Sequence, residues 1–115
     1  MAAILLIEDD AQHLEFLTDT VEFGGHVAFP AKDTLAADKI LDQHRIDYIV
    51  TDIVLPGMSG LDFMETLYHQ KRLLPFIVVT GCSSEDYRQK ARKLKAIDYL
   101  IKPIDPEKLL QSLNH

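Results

Sequence analysis

The chain has 115 residues and a mass of 13.1 kDa, with 47% hydrophobic and 26% charged residues, which fits one compact domain and excludes a disordered chain. Five glycines, five prolines and a single cysteine, Cys82, exclude collagen-like, low-complexity and disulfide-scaffold classes, and point to a reducing, cytoplasmic setting. The net charge of −6 disfavours non-specific nucleic-acid binding, and neither a membrane span nor a signal peptide is read in the N-terminal MAAILLIEDD.

Along the chain, β-rich apolar runs alternate with stretches of helical spacing. Residues 3–7 read as a first strand, followed by a helix from Ala11 to Phe23 that places Phe16, Leu17 and Val21 on one arc and stops at Gly24-Gly25. Asp10 reads as a solvated turn or cap residue. Residues 26–31 form the second strand, where Pro30 argues for a sheet edge because proline cannot donate to an interior ladder. Asp33 caps a second helix with Leu35, Ile40 and Leu41 inward. After the third strand, 48–51, Ser59-x-x-Asp62 resembles a capping box ahead of Leu61, Met64 and Leu67. The fourth strand, 76–80, is nearly all apolar, as expected of a strand buried on both faces. Ser83-x-x-Asp86 can open the fourth helix, residues 97–101 form the fifth strand, and Asp105 with Pro106 at the first helical position opens the last helix.

Strict strand–helix alternation implies an α/β domain with a parallel sheet: a flavodoxin-like (βα)5 three-layer sandwich of strand order 2-1-3-4-5. In such a sheet ligands bind beyond the carboxyl ends of the strands. Those ends carry Glu8-Asp9-Asp10, Asp52, Thr80-Gly81 and Lys102-Pro103. Glu8, Asp9 and Asp52 together would repel one another until protonation or a cation relieved them, and oxygen-only donors suit a hard ion, Mg2+ above all. A carboxylate beside Mg2+ is either a ligand or a nucleophile. A site for a transferred phosphoryl group needs metal, a fixed ammonium and a hydrogen-bond donor; Mg2+, Lys102 and the Thr80 hydroxyl supply one each, while Gly81 leaves room.

Taken singly, these residues have plainer readings: a strand-end acid as a turn residue, Lys102 as a surface lysine, Thr80 as a β-branched strand end, Tyr99 as a core-edge aromatic. Glu8 and Asp9, Asp52, Thr80 and Lys102, on four different strands at one sheet edge, are hard to ascribe to those roles together. Cys82 reads as an ordinary thiol, and His13 as a packed or rim histidine rather than a ligand. His26, His44, His69 and His115 show no metal spacing.

The motifs LLIEDD at 5–10, DYIVTDIVLPGMSG at 47–60, PFIVVTG at 75–81 and DYLIKP at 98–103 cover the chain from end to end. Through them it resembles the receiver domains of two-component response regulators, in the chemotaxis-receiver style, and reads as a single receiver domain over residues 1–115. The resemblance implies that Asp52 is the phosphorylated aspartate. It matches Asp9 to a direct Mg2+ ligand, Glu8 to one acting largely through water, and the Val54 main-chain carbonyl to another. It also matches Thr80 to the switch hydroxyl, Lys102 to the lysine that pairs with the phosphoryl group, and Tyr99 to the aromatic switch. Pro56 and Gly60 fit the loop after the acceptor, and Lys102-Pro103 matches a cis peptide bond.

Implied partners are a sensor histidine kinase or histidine phosphotransfer protein that donates from phosphohistidine, with no direct nucleic acid and no membrane. The face built from the fourth helix, fifth strand and fifth helix is the implied output or homodimer surface. Lys95 stands where a glycine usually precedes the alanine before the fifth strand, so a different turn is expected there. Val54 and Cys82 stand where side chains tune loss of the phosphoryl group to water; neither can orient a water, so slow self-dephosphorylation is expected.

Three rival readings remain beside it. A haloacid-dehalogenase-type phosphohydrolase begins from D-x-D, whereas Asp52-Ile53-Val54 lacks the second acid. A flavin module needs a Ser/Thr/Gly phosphate loop where Glu8-Asp9-Asp10 stands. A degenerate receiver would serve only as a protein-binding platform. With no output domain read after the last helix, the chain is either a stand-alone regulator or a piece of a larger one.

Charge is also segregated. Residues 1–70 hold thirteen acids against three bases, and residues 71–115 five against nine. Arg88, Lys90, Arg92, Lys93 and Lys95 form a cluster that is either a solvated helix face or a docking patch for an acidic protein surface.

Overall fold

The computed structural model describes residues 1–114, and His115 lies outside the described residues. Five parallel strands, β1 (Ala3–Ile7), β2 (Val27–Ala31), β3 (Tyr48–Thr51), β4 (Phe76–Thr80) and β5 (Asp98–Ile101), form one sheet of order β2-β1-β3-β4-β5. Between and after them run α1 (Ala11–Phe23), α2 (Thr34–Gln43), α3 (Gly60–His69), α4 (Glu85–Lys93) and α5 (Pro106–Ser112). This is the expected architecture, with β2 and β5 each beginning one residue later than the apolar runs suggested.

The period of two along each strand sorts side chains to opposite faces. Leu5, Ile7, Ile49, Phe76 and Val78 meet Ala37 of α2, Met64 and Leu67 of α3 and Ala91 of α4 on one side. Ile4, Leu6, Val50, Ile77 and Val79 meet Leu17 and Val21 of α1 and Leu109 of α5 on the other. β4 is buried along its whole length. Pro30 pairs opposite Leu6 on the outermost strand β2, where its missing N–H breaks no interior ladder. No helix among the described residues is long and apolar enough to cross a membrane.

The side chains of Asp10, Asp33, Ser59 and Asp105 cap α1, α2, α3 and α5. Two details differ from expectation. Ser83 does not open α4: the helix follows Ser84, which makes no side-chain cap bond, and Glu85 and Asp86 in the first turn offer negative charge to the helix N-terminus instead. Leu35 is 67% exposed, because Ala37 takes the inward position on α2 while Ile40 and Leu41 pack at the core margin.

Asp62 completes only half of its capping box. Ser59 Oγ accepts from Asp62 N, but the Asp62 carboxylate turns to Lys90 of α4 at 2.6 Å, with Glu65 at 3.5 Å from the same ammonium. The Lys90 hydrogen bond holds the Asp62 carboxyl below its ordinary value, and the same contact raises Lys90. Since the folded value of Asp62 is depressed, its share of stability is present above pH of about 4 and is lost as pH falls through the folded value; the Lys90 share is lost only above pH of about 10.5. Both groups reach solvent. In urea titrations, Asp62→Asn is expected to cost no more than about 1 kcal/mol at pH 7, and the gap to wild type to close on strong acidification.

The ends of α1, α3 and α4 share one closure. At α4, Lys95 N donates to Arg92 O and Ala96 N to Ala91 O, both at 2.9 Å, with Lys95 at φ 64°. At α3, Lys71 at φ 59° plays the same part, and at α1 it is Gly25 at φ 86°. The turn before β5 therefore keeps its left-handed residue although Lys95 replaces glycine, contrary to the altered turn expected from the sequence. A left-handed non-glycine residue costs roughly 1 kcal/mol, so Lys95→Gly is expected to raise the urea midpoint by an equivalent of about 0.5–1 kcal/mol. An unchanged or lower midpoint would show the strain to be absent.

Candidate functional site

The sheet ladder itself delivers the site. Asp52 N, one residue past β3, donates to Ile7 O at 3.0 Å, and Lys102 N, one residue past β5, donates to Thr80 O at 2.8 Å. Glu8 N donates to Ala31 O at 3.0 Å. Each polar residue is thus fixed to a neighbouring strand just where regular pairing ends, and all stand at the carboxyl edge.

Glu8, Asp52 and Thr80 are buried there, while Asp9 is exposed. A carboxylate oxygen from each of Glu8, Asp9 and Asp52 lies within 4.8 Å of the others. Lys102 Nζ donates to Asp52 Oδ2 and to Glu8 Oε1, both at 2.7 Å. Burial by itself would lower the Lys102 pKa, but the hydrogen bonds from Asp52 and Glu8 outweigh it and hold the ammonium above its ordinary range. Asp52 Oδ1 accepts from Ile53 N at 2.6 Å and Val54 N at 3.4 Å. Three carboxylates against one ammonium leave the cluster net negative, and its donors are all hard oxygens; that set fits a divalent cation such as Mg2+.

Thr80 closes β4, and its hydroxyl accepts from Cys82 N at 3.2 Å. The half-buried Tyr99 of β5 donates its hydroxyl to Cys82 O at 2.6 Å, and Arg88 of α4 lies over its ring at 4.7 Å. Burial first, and the neighbouring Cys82 next, push the Tyr99 phenol up. The Val54 side chain is open to solvent. A Cβ on Gly81 would meet nothing within 4 Å, so the space expected beside the site is present. The Lys102–Pro103 peptide bond is cis.

Glu8, Asp9, Asp52 and Lys102 therefore come together as the sequence predicts, while Thr80 and Tyr99 both bond the backbone of Cys82, in the loop after β4. Two features were not read from the sequence. His13, packed as expected rather than read as a ligand, also bonds the site, its Nδ1 lying 2.7 Å from Glu8 Oε1. The signal available was its place in the first turn of α1, which folds back toward the end of β1. The other is the close packing of Gly60, which was expected in the loop after the acceptor but opens α3: a Cβ there would overlap the Asp52 carbonyl oxygen and stand 2.6 Å from Thr51 Oγ1. The basic cluster also divides, with Lys90 pairing to α3 and Arg88 covering Tyr99.

Together these features define a doubly wound α/β domain with an acidic, lysine-bridged cluster at its carboxyl edge. The family description "Response regulator receiver domain" matches residues 4–114, and the chain belongs to this family of two-component signalling domains. It is 31% identical over 116 residues to Protein PilH of Pseudomonas aeruginosa, covering 99% of this chain and 96% of PilH. It is likewise 31% identical over 109 residues to Response regulator protein FleR of the same organism, covering 95% of this chain but only 23% of FleR. The chain thus spans under a quarter of one such relative and nearly all of another.

Among solved structures, a response regulator receiver protein from Pseudomonas putida superposes with a TM-score of 0.93 at 30% identity, covering 98% of this chain and 95% of that one. The chemotaxis protein CheY4 of Vibrio cholerae gives 0.89 at 27% identity, covering 98% and 96%. Receiver domains use Mg2+ at a cluster such as Glu8, Asp9 and Asp52, and receive their signal from histidine kinases or phosphotransfer proteins.

Proposed function

We propose that residues 1–115 form one receiver domain that accepts a phosphoryl group from a phosphohistidine donor onto Asp52 and does not turn over small substrates as an enzyme. The observation that carries this reading is Lys102 Nζ at 2.7 Å from both Asp52 Oδ2 and Glu8 Oε1: a fixed ammonium beside a carboxylate on an open sheet edge. An Asp52 carboxylate oxygen attacks phosphorus; the P–O bond forms as the P–N bond breaks, and the electron pair of that bond returns to the donor imidazole. The amides of Ile53 and Val54 keep the carboxylate oriented during attack. Lys102 follows the charge onto the phosphoryl oxygens, and the Thr80 hydroxyl turns from Cys82 N to donate to them. Glu8, Asp9, Asp52 and the Val54 main-chain carbonyl would hold Mg2+, which would supply compensating positive charge to the phosphoryl group.

The new charge draws Thr80 and Lys102 inward and alters the packing of Tyr99, whose hydroxyl donates to the carbonyl of Cys82, the residue whose amide now bonds Thr80. The surface of α4, β5 and α5 then acts as the output face toward an effector or a second copy. The donor is a sensor histidine kinase or histidine phosphotransfer protein in the cytoplasm, meeting α1 and the loops around the site.

The test is intact mass after incubation with acetyl phosphate, for wild type and Asp52→Asn, with Mg2+ or with EDTA. One added phosphate that needs both Mg2+ and Asp52 is expected. No adduct from acetyl phosphate or from a phosphohistidine donor would leave a protein-binding platform in its place. The adduct is further expected to survive for minutes, since neither Val54 nor Cys82 carries a group that orients an attacking water. A lifetime of seconds would overturn that expectation.

A further inference from the structure

We propose that His13 is a positioning residue that holds the Glu8 carboxylate in place, so that Lys102 is free to turn from Glu8 to the phosphoryl group. The proposal rests on the phosphoacceptor reading above. Glu8 is only 1% exposed, and a carboxylate so buried is costly unless donors surround it. It has three: Lys102 Nζ and His13 Nδ1, each 2.7 Å from Oε1, and Asp10 N at 3.2 Å from Oε2. Because an ionised carboxylate only accepts, the bond also sets the imidazole tautomer, with the proton on Nδ1.

His13 is itself firmly mounted. It sits in the first turn of α1, where Asp10 Oδ1 accepts from Gln12 N and His13 N, and its ring stacks on Phe16 at 5.6 Å with 27° between planes. With Oε1 engaged by both His13 and Lys102 and Oε2 by Asp10 N alone, the remaining acceptor capacity of Glu8 lies on Oε2, where a cation or its water would find it. Once a phosphoryl group engages Lys102, Glu8 loses that donor. His13 then remains as its side-chain partner, keeping a buried carboxylate aimed and satisfied. Groups that orient a metal-facing carboxylate in this way typically change metal affinity when removed.

The whole chain and its His13→Ala and His13→Asn variants are titrated with Mg2+ by calorimetry, melted in EDTA, and phosphorylated with acetyl phosphate across a range of Mg2+. His13→Ala is expected to weaken Mg2+ binding by about tenfold or more and to raise the Mg2+ needed for half-maximal phosphorylation by the same factor. His13→Asn, whose side-chain amide nitrogen stands close to the place of Nδ1, is expected to restore affinity to within about threefold of wild type. If His13→Ala binds Mg2+ like wild type, or His13→Asn binds as weakly as His13→Ala, the positioning role is overturned. Should His13→Ala not melt as a folded protein in EDTA, His13→Leu replaces it under the same criteria. A wild type that neither binds Mg2+ nor gains phosphate overturns the phosphoacceptor reading and this proposal with it, whereas normal wild-type phosphorylation with an indifferent His13 overturns this proposal alone.

Discussion

Gly60→Ala is expected to destabilise the domain by about 4 kcal/mol or more and to abolish phosphorylation at Asp52. The added methyl group would overlap the carbonyl oxygen of Asp52, a backbone atom that cannot swing aside as a side-chain end does, and would crowd Thr51 Oγ1 at 2.6 Å. Gly60 N donates to Ile53 O at 2.9 Å, which holds the helix start where it is, and Thr51 Oγ1 donates to Asp52 O at 2.8 Å, which fixes the carbonyl in the way. Relief therefore requires the start of α3 to withdraw from β3, dragging the 53–59 loop and the amides that orient the Asp52 carboxylate. Overpacking in an ordinary core costs about 1–3 kcal/mol because side chains yield; here the obstacle is main chain. Urea unfolding of the variant measures the loss. A cost under about 1 kcal/mol would mean that the approach of α3 to β3 is looser than the structure shows.

Lys102→Met has the other large effect, and it is two-sided. Removing one partner of a fully buried ion pair costs roughly 3–5 kcal/mol; since the Lys102 side chain is 27% exposed, about 2–3 kcal/mol is expected in EDTA. What remains is Glu8 and Asp52, both buried, with Asp9 nearby and no ammonium between them. A divalent cation then replaces the lost charge, so added Mg2+ is expected to stabilise Lys102→Met more than it stabilises wild type. Phosphorylation by acetyl phosphate is nevertheless expected to fall by about 10²–10³, because the charge that follows the phosphoryl oxygens is gone. Thermal melts with EDTA and with Mg2+, alongside intact mass, read all three quantities. A variant that Mg2+ stabilises no more than wild type would show that Lys102 does not neutralise the cluster.

The fold was legible because its signals are local and repeat five times: apolar runs of strand length, caps such as Asp10, Asp33, Ser59 and Asp105, and a proline that marks β2 as an edge. The site followed from topology, since a parallel sheet gathers its strand ends and those ends carry Glu8, Asp9, Asp52, Thr80 and Lys102. What escaped depended on the third dimension. Leu35 and Ala37 are both apolar and two positions apart, and only the rotation of α2 against the sheet decides that Ala37 goes inside. His13 is an ordinary helix residue until the chain folds back over Glu8. The close approach at Gly60 involves the backbone of Asp52, eight residues earlier, and leaves no mark in hydrophobic pattern. Lys95 misled in the opposite direction, because the closing hydrogen bonds of α4 impose a left-handed residue whichever side chain occupies it.

The Glu8–Lys102 contact joins positions 94 residues apart, and β1 and β5 reach it from opposite sides of β3 and β4. On a ribosome, β1, β2 and β3 emerge and can pair early, yet the acidic cluster has no counter-charge until residue 102 has left the exit tunnel. Until then Glu8 and Asp52 are forced together without their ammonium, a state whose repulsion opposes early closure of the sheet edge. Completion of the cluster therefore waits on the last strand of the domain, and a nascent chain halted before β5 is left without the lysine that pairs with Glu8 and Asp52.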